Sequence, residues 1–465
     1  MEINLDNMKR VYLIGIGGIG MSALARYFAQ RGLSVAGYDS TPSTLIDDLK
    51  NEGITIVFDD NIASIPSEFI NTPDNTLVIY TPAVPNTHSQ LKYFSLNGYP
   101  LVKRAKALGY ITKDYNTAAV AGTHGKTSTS SLLAHLMAST QQGCNAFLGG
   151  ISKNFGSNLV LADKGAKRMV VEADEFDRSF LNLAPQLAII TSIDSDHLDI
   201  YFSHSEVIKA FADFVANIKP EGVLIVKKGL EDIAKVNTKI STYTYSTTEK
   251  ADFCIENLTN TNGIYTFDLK SPYGTVNNIE LGIPGRYNVE NAVAASAAAL
   301  VWGITPNELT KGLKTFKGIA RRFDLQYAGK AIYIDDYAHH PEELKAAISS
   351  VREMFPHRRI TGVFQPHLYS RTRDFAQQFA QSLNLLDEVI LLDIYPAREL
   401  PIEGVTSEII YNKISNPSKH LMQLSELENH LQKNGTDVLI TMGAGNIDRE
   451  VPKIVKILKE REGVA

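Results

Sequence analysis

Cysteine is almost missing from this chain: Cys144 and Cys254 are the only two among 465 residues. That excludes a disulfide framework and any C-x-x-C metal or redox motif, and it makes a reducing cytoplasm the expected setting. Strong charge is missing too. The formal net charge is -5 and no block of like charge occurs, which excludes an extended nucleic-acid surface. Long hydrophobic runs are lacking: the longest small-apolar run, AVAASAAALVW from Ala292, is too short to cross a bilayer, and the opening MEINLDNMKR has no apolar signal core. No membrane insertion is expected. Neither a fixed-period repeat nor a low-complexity segment is visible. What is present is a 44% hydrophobic composition, enough to bury large cores at a length that suits about three domains. Composition leaves the oligomeric state open.

Strand and helix patterns alternate from residue 9 onward. RVYLIG, SVAGYDS and TLVIYTPAV read as strands with helices between them, and LVKRAKALG closes a doubly wound nucleotide fold over residues 1–113. A second unit, 114–317, opens with the strand TAAVAG, a Gly-rich turn and a helix through Met137, followed by the strands RMVVEAD and LAIITSI. The short alternating pieces STYTYS, IYTFDL and VNNIEL predict an antiparallel patch, and NVENAVAASAAALVW predicts a helix of small side chains suited to close packing. A third α/β unit, 318–465, carries the strands KAIYIDDYA, RITGVFQP, EVILLDI and DVLITMGAG, with PEELKAAISSVREMF as a helix between the first two.

Six segments carry chemistry. KRVYLIGIGGIGMSALARYF places Gly15, Gly17 and Gly20 in G-x-G-x-x-G spacing around Gly18, and Asp39 stands 24 residues beyond Gly15. Glycines let backbone approach a diphosphate, and a helix N-terminus attracts it. That logic fits an NAD-dependent oxidoreductase, yet it specifies only an anionic diphosphate. AGTHGKTSTS is the sharper signal. Gly122, Thr123, His124, Gly125, Lys126, Thr127 and Ser128 resemble a phosphate-binding loop two residues shorter than the usual pattern, between a strand and a helix. Its N–H groups would cradle ATP phosphates, Lys126 would neutralise the β/γ oxygens and Thr127 would hold Mg²⁺. VVEADEFDRSF gathers Glu172, Asp174, Glu175 and Asp177 at a strand end, where Glu172 is the first choice for a metal ligand. TSIDSDHLDIY adds Asp194, Asp196, His197 and Asp199; His197 is either a metal ligand or a surface residue beside a helix cap. In the third unit, DDYAHHPEEL supplies His339 and His340, and QPHLYSRTRDF supplies His367, Arg371 and Arg373. Adjacent histidines in a turn point apart, and no Cys or third His stands at a structural-zinc spacing, so a substrate or nucleotide contact is favoured over zinc. The arginines suit carboxylate or phosphate recognition.

GIGGIGMSALA, AGTHGKTST, EADEFDRSF, DHLD, PGRYNVENAVAA, ARRFD, DDYAHHPEE, FQPHLYSRTRDF and MGAGNI stand in this order along nearly the whole chain. In that order they resemble the Mur ligases, most of all the alanine-adding branch. The resemblance implies an α/β protein of three domains. A Rossmann-like N-terminal domain would precede a central P-loop ATPase-type domain with a parallel sheet and a small antiparallel patch, and a Rossmann-like C-terminal domain would follow. It implies ATP-dependent amide-bond formation in peptidoglycan assembly, with UDP-N-acetylmuramate, L-alanine and ATP as substrates and Mg²⁺, or Mn²⁺ in its place, as cofactor. By the same resemblance Gly122 to Ser128 bind the ATP phosphates, Lys126 acts on the transferring phosphoryl group, and Thr127, Glu172 and His197 are metal-associated. Asn288 and Asn291 face adenine, while Arg322 and Asp336 reach the nucleotide. His339, Arg371 and Arg373 meet the amino acid or the muramyl carboxylate. Gly15, Gly17, Gly18, Gly20, Asp39 and Arg104 hold the UDP-sugar. Tyr287 stands where many relatives carry His, and no lysine carbamate is expected. A ligase that adds an intact tripeptide to the same UDP-sugar is the rival within the class; an oxidoreductase would leave the loop around Lys126 idle.

Overall fold

The computed structural model describes residues 5–162, 165–194, 203–261, 263–397 and 399–463. It separates into two compact units, one of Met1–Leu258, Phe267–Glu280 and Glu290–Lys317, the other of Thr259–Thr266, Leu281–Val289 and Gly318–Ala465.

The first unit begins with five strands: β1 (Arg10–Ile14), β2 (Ser34–Tyr38), β3 (Thr55–Val57), β4 (Thr76–Tyr80) and β5 (Leu101–Lys103). They lie in the order β3-β2-β1-β4-β5, every pair parallel, as in a Rossmann-like half. Apolar residues run along β1 without a break because both of its faces are covered: Val11 and Leu13 join one buried cluster, Tyr12 and Ile14 another. Ser43 caps the helix Thr44–Asn51 by accepting from Ile46 N at 3.3 Å.

Ten strands follow in one sheet: β6 (Asn116–Ala121), β7 (Asn145–Ser152), β8 (Ser157–Val160), β9 (Arg168–Glu172), β10 (Leu187–Ile190), β11 (Val223–Lys227), β12 (Ser241–Ser246), β13 (Phe253–Thr261), β14 (Ile264–Ser271) and β15 (Gly274–Glu280). Their order is β15-β14-β13-β12-β11-β10-β6-β9-β7-β8. The antiparallel patch starts later than the sequence pattern predicts. STYTYS, as β12, pairs parallel with both β11 and β13, so it prolongs the parallel sheet. Burial rises along β12 from exposed Ser241 to covered Ser246, so the alternation in STYTYS marks no hairpin. Only two residues separate β13 from β14 and β14 from β15, too few for a parallel crossover, so these three strands form the patch. A second antiparallel pair, β7 with β8, has no clear periodic signal in its Gly-containing sequence.

Helix Arg286–Val301 is as tightly buried as its small side chains predict: Ala292, Ala294, Ala295, Ala297, Ala298 and Ala299 are all fully covered. The next helix, Pro306–Thr315, starts on a capping box between Thr305 and Glu308. Within the first unit, helix Ile19–Gln30 is bolted to the β7–β8 hairpin. Arg26 donates to both oxygens of Glu52 at 2.7–2.9 Å and to Asn158 Oδ1 at 2.6 Å, while Asn158 Nδ2 donates to Ile19 O at 2.6 Å and Ser22 Oγ at 2.9 Å.

The second unit is built on β16 (Asp324–Ala328), β17 (Ile332–Asp336), β18 (Ile360–Phe364), β19 (Glu388–Leu392), β20 (Lys419–Met422) and β21 (Val438–Met442), in the order β16-β17-β21-β18-β19-β20. Only the β16–β17 pair is antiparallel. Alternate strand residues face opposite helix layers. Ile334, Val389 and Leu391 pack with the helices Pro341–Met354 and Tyr369–Leu383, and Tyr333, Ile390 and Leu392 pack with Leu424–Asn434 and Val451–Glu462. Among the described residues no helix is long and apolar enough to cross a membrane.

Candidate active site

Strand β6 is a run of Ala and Val buried between β9 and β10, and its end delivers the loop at Gly122. Two glycines there are obligatory for different reasons. Gly122 has φ 134°, and a Cβ on it would sit 2.0 Å from Thr191 Oγ1. Gly125 has φ 81°, with its would-be Cβ 2.6 Å from Asn291 Oδ1. Gly125 is the N-cap of helix Lys126–Ala138, and no side chain caps that helix. Its first-turn N–H groups, at Lys126, Thr127 and Ser128, are left for an anion. The end of β10 fixes the loop's shape. Thr123 Oγ1 lies 2.8 Å from Ser192 Oγ and 3.2 Å from Asp194 Oδ2, and His124 N donates to Ser192 Oγ at 2.9 Å. Sequence reasoning did not single out Ser192; its place one strand over, in TSID, was the available signal.

Lys126 bends back over its own loop, its Nζ 2.7 Å from Gly122 O and 2.8 Å from Glu175. The Lys126 side chain is 13% exposed and that of Glu175 1%. Burial pulls the ammonium's pKa down, but the carboxylates of Glu175, Asp174 and Glu172 outweigh it and the net shift is upward. Lys126 therefore stays charged at any working pH. Glu172 ends β9 and lies over Gly149, where a Cβ would come within 2.2 Å of its Oε2. Three carboxylates outnumber the two cations beside them, Lys126 and Arg104, and make an oxygen-rich set that fits a hard divalent cation such as Mg²⁺. His197, with Asp196 and Asp199, lies outside the described residues.

The first sheet contributes directly to this corner. Arg104 opens the helix Arg104–Thr112 and places Nη2 3.3 Å from Asp174 Oδ2. Its guanidinium lies against Gly20, where a Cβ would be 2.5 Å from Nη1. Gly20, Arg104, Gly149, Glu172 and Asp174 line one cavity of about 90 Å³. In the fingerprint turn, Gly15 has φ 87°, Gly18 is the N-cap of helix Ile19–Gln30 without a side-chain cap, and Gly17 N donates to Asp39 Oδ2 at 2.8 Å. Asp39 thus also shapes the loop that offers its N–H groups.

Within the second unit, Asp336 closes β17 and accepts from Phe323 N at 2.6 Å and from Ala338 N at 2.7 Å. Burial raises its pKa to about 6 against the pull of Arg322. The first bond holds Phe323 at φ 46°, and Arg321, whose N donates to Asp324 Oδ2 at 3.3 Å, stands at φ 64°, backbone strain concentrated in the ARRFD segment. Arg322 lies 5.0 Å from the Tyr337 ring centre. Tyr287 packs edge-on against Phe323, and burial beside Asp336 pushes its phenol far up. Asn288 Nδ2 donates to Pro284 O at 2.6 Å; Asn291, in the first unit, accepts from Thr129 Oγ1 at 3.3 Å beside Gly125.

His339 Nδ1 lies 3.0 Å from Tyr337 O and 3.3 Å from Glu343 Oε2. A carbonyl only accepts, so Nδ1 carries the proton and Nε2 keeps its lone pair. Burial lowers the imidazole's pKa, with Glu343 opposing and Arg371 assisting. His340 shares Glu343 with His339 through a capping box and packs on Phe375. Arg373 is exposed and paired with Asp374 at 2.7 Å.

A phosphate loop on a parallel sheet with carboxylates beside it, in a chain that also carries two Rossmann-like sheets, defines a nucleotide-dependent α/β enzyme of three domains. Family profiles match most of the chain: "Mur ligase family, catalytic domain" at 10–116, "Mur ligase middle domain" at 120–299 and "Mur ligase, glutamate ligase domain" at 321–445. The chain belongs to the Mur ligase family. It is 50% identical over 457 residues to the UDP-N-acetylmuramate–L-alanine ligase of Parabacteroides distasonis, covering 98% of each chain. Its fold matches the crystal structure of the UDP-N-acetylmuramate–alanine ligase of Thermotoga maritima at TM-score 0.82 and 25% identity, over 98% of this chain and 100% of that one. A murein peptide ligase from Psychrobacter arcticus shares the fold at TM-score 0.70 and 22% identity, over 97% and 98% of the two chains.

Proposed function

We propose that this chain is a cytoplasmic, ATP-dependent ligase that joins L-alanine to the carboxylate of UDP-N-acetylmuramate in peptidoglycan synthesis. The observation that carries this reading is the acidic end of β9, where Glu172 and Asp174 share a cavity with Arg104 and Gly20 while also acting on Lys126, which is paired with Glu175. It puts a phosphate loop and a diphosphate fingerprint at one acidic strand end. Half identity to the Parabacteroides ligase supports the choice of alanine.

A carboxylate is a poor electrophile, and its condensation with an amine in water is uphill. In the proposed route a carboxylate oxygen of the muramyl group attacks the γ-phosphorus, the bond to the ADP oxygen breaks, and an acyl phosphate forms. The alanine amine then attacks the acyl carbon, loses a proton, and phosphate departs. Lys126 and the first-turn N–H groups would stabilise charge on the transferring phosphoryl group. Thr127, Glu172 and His197 would hold Mg²⁺, which when bound neutralises the phosphate oxygens. Arg104 and the glycines Gly15, Gly17, Gly18 and Gly20, with Asp39, would position the UDP-sugar. Asn288, Asn291, Arg322 and Asp336 are assigned to ATP, and Arg371 and Arg373 to carboxylate recognition. His339 Nε2, unprotonated, is suited to receive the proton of the incoming amine. On this reading residues 1–113 bind the UDP-sugar, 114–317 bind ATP, and 318–465 complete the amino-acid and nucleotide site.

Phosphate release with ATP, Mg²⁺ and UDP-N-acetylmuramate tests the reading. Release should depend on L-alanine; a clear preference for the tripeptide would instead assign the chain to the recycling reaction.

A further inference from the structure

The second unit holds a side-chain group that the reaction above does not use. Glu388 opens β19, His420 lies on β20 at the sheet's edge, and His430 lies on the helix Leu424–Asn434. One ligand atom from each lies within 4.8 Å of the others. His420 Nε2 is 3.3 Å from Glu388 Oε1, and the two imidazole rings are 4.9 Å apart between centres. We propose that Glu388, His420 and His430 form a binding site for a divalent transition metal of the zinc type, with two imidazoles and one carboxylate as ligands.

The geometry is close to what such an ion requires. Two ligand atoms each about 2.0 Å from a tetrahedral ion stand about 3.3 Å apart, and the Glu388–His420 pair already has that separation. A side-chain rotation of His430, which is partly exposed, closes the remaining gap. Glu388 is oriented from behind: its other oxygen, Oε2, accepts from Thr361 Oγ1 at 2.8 Å and lies 3.4 Å from Arg359 Nη2. That leaves Oε1 toward the histidines, the arrangement by which outer groups fix a ligating carboxylate. Arg359, Thr361, Asn434 and the three ligands line a cavity of about 620 Å³, which leaves a fourth coordination position open to water. Two imidazole nitrogens and one oxygen favour Zn²⁺, Co²⁺ or Ni²⁺ over Mg²⁺, which prefers six oxygens. The site is therefore chemically separate from the oxygen-rich corner around Glu172. A bound ion would tie the edge strand β20 and the helix Leu424–Asn434 to β19. These ligands come from three separate elements with no short repeat spacing, which is why zinc spacing rules miss them.

The test uses the full chain without an affinity tag, stripped with chelator and held in excess Mg²⁺ so that oxygen-rich sites are filled. Co²⁺ titration is read by the visible bands of four-coordinate cobalt, followed by displacement with Zn²⁺. One equivalent should bind, and His420→Gln and His430→Gln should each weaken binding by more than about tenfold. Both variants should keep wild-type melting in chelator and wild-type ligase activity. A Glu172→Gln variant should retain the cobalt signal. Absence of saturable binding, unchanged affinity in both histidine variants, or loss of the signal in Glu172→Gln would each overturn the proposal.

Discussion

At the scale of single residues, the Lys126–Glu175 pair couples chemistry to folding. Glu175 is 1% exposed and lies 2.8 Å from the ammonium, so truncating Lys126 strands a buried carboxylate. Lys126→Ala is expected to lower phosphate release by roughly a hundredfold or more and to cost about 3 kcal/mol of stability. The double variant Lys126→Ala/Glu175→Gln should regain most of that stability while remaining inactive. Equal unfolding midpoints for wild type and Lys126→Ala in a denaturant titration would show that the pair is not coupled to folding. The glycines divide in the same way. Gly122→Ala drives a Cβ into Thr191 and the backbone N of Ser192 at φ 134° and should impair folding as well as activity. Gly20→Ala meets only the mobile end of Arg104. It should fold normally and raise KM for UDP-N-acetylmuramate with little change in kcat for saturating substrate; a fall in kcat at unchanged KM would detach Arg104 from substrate positioning.

At the scale of elements, the parallel strands and the helices that follow Gly-rich turns were legible because one periodicity and one turn chemistry coincide. β1, β6 and β17 carry the apolar runs VYLI, AAVA and IYI, each followed by a Gly-rich turn or by polar residues, and Arg286–Val301 is legible from its alanines. The hairpin β7–β8 and the edge strands β16 and β20 were not. Edge strands are half solvated and short, as in KHLM of β20, and their partners lie far away in sequence. In the site, Gly122 to Ser128 and Glu172 were legible, whereas the Glu175 partnership, the Ser192 clamp and the Glu388–His420–His430 group depend on strand neighbours that no local pattern encodes. The end of β17 was read as Asp336 alone, yet Asp335 beside it is equally buried. It accepts from Thr441 Oγ1 at 2.6 Å, and burial raises its pKa to about 6 despite Arg321. Folded values above the unfolded ones mean that the native state holds these protons more tightly. The stabilising contribution is complete at low pH and is lost as pH rises from about 4 through about 6. Across that window wild-type stability should fall more steeply than that of Asp335→Asn, by about 1 kcal/mol per pH unit. Parallel pH profiles in denaturant titrations would refute the assignment.

At the scale of the whole molecule, the first sheet and the ten-stranded sheet belong to one compact unit, and the physical tie between them is identifiable. Asn158 is fully buried and its amide is used on both sides, accepting from Arg26 and donating to the first turn of helix Ile19–Gln30. Arg104 to Asp174 and Lys103 to Asp177 add ion pairs at the strand ends, the latter exposed and worth little by itself. Such a tie keeps the diphosphate fingerprint in register with the acidic end of β9, which is the alignment that the proposed phosphoryl transfer from ATP to a carboxylate requires. It also predicts the calorimetry. The first unit should melt in one transition and the second in another. UDP-N-acetylmuramate should raise the whole of the first transition, because a ligand that binds only the folded state stabilises everything that unfolds with its site. Asn158→Ala strips Arg26 of a buried, charge-assisted partner, which costs about 2 kcal/mol, and should split the first transition so that the UDP-sugar raises only the part belonging to residues 1–113. A ligand shift confined to part of the wild-type transition would mean that the two sheets fold independently and that their alignment is set by substrate instead of by the chain.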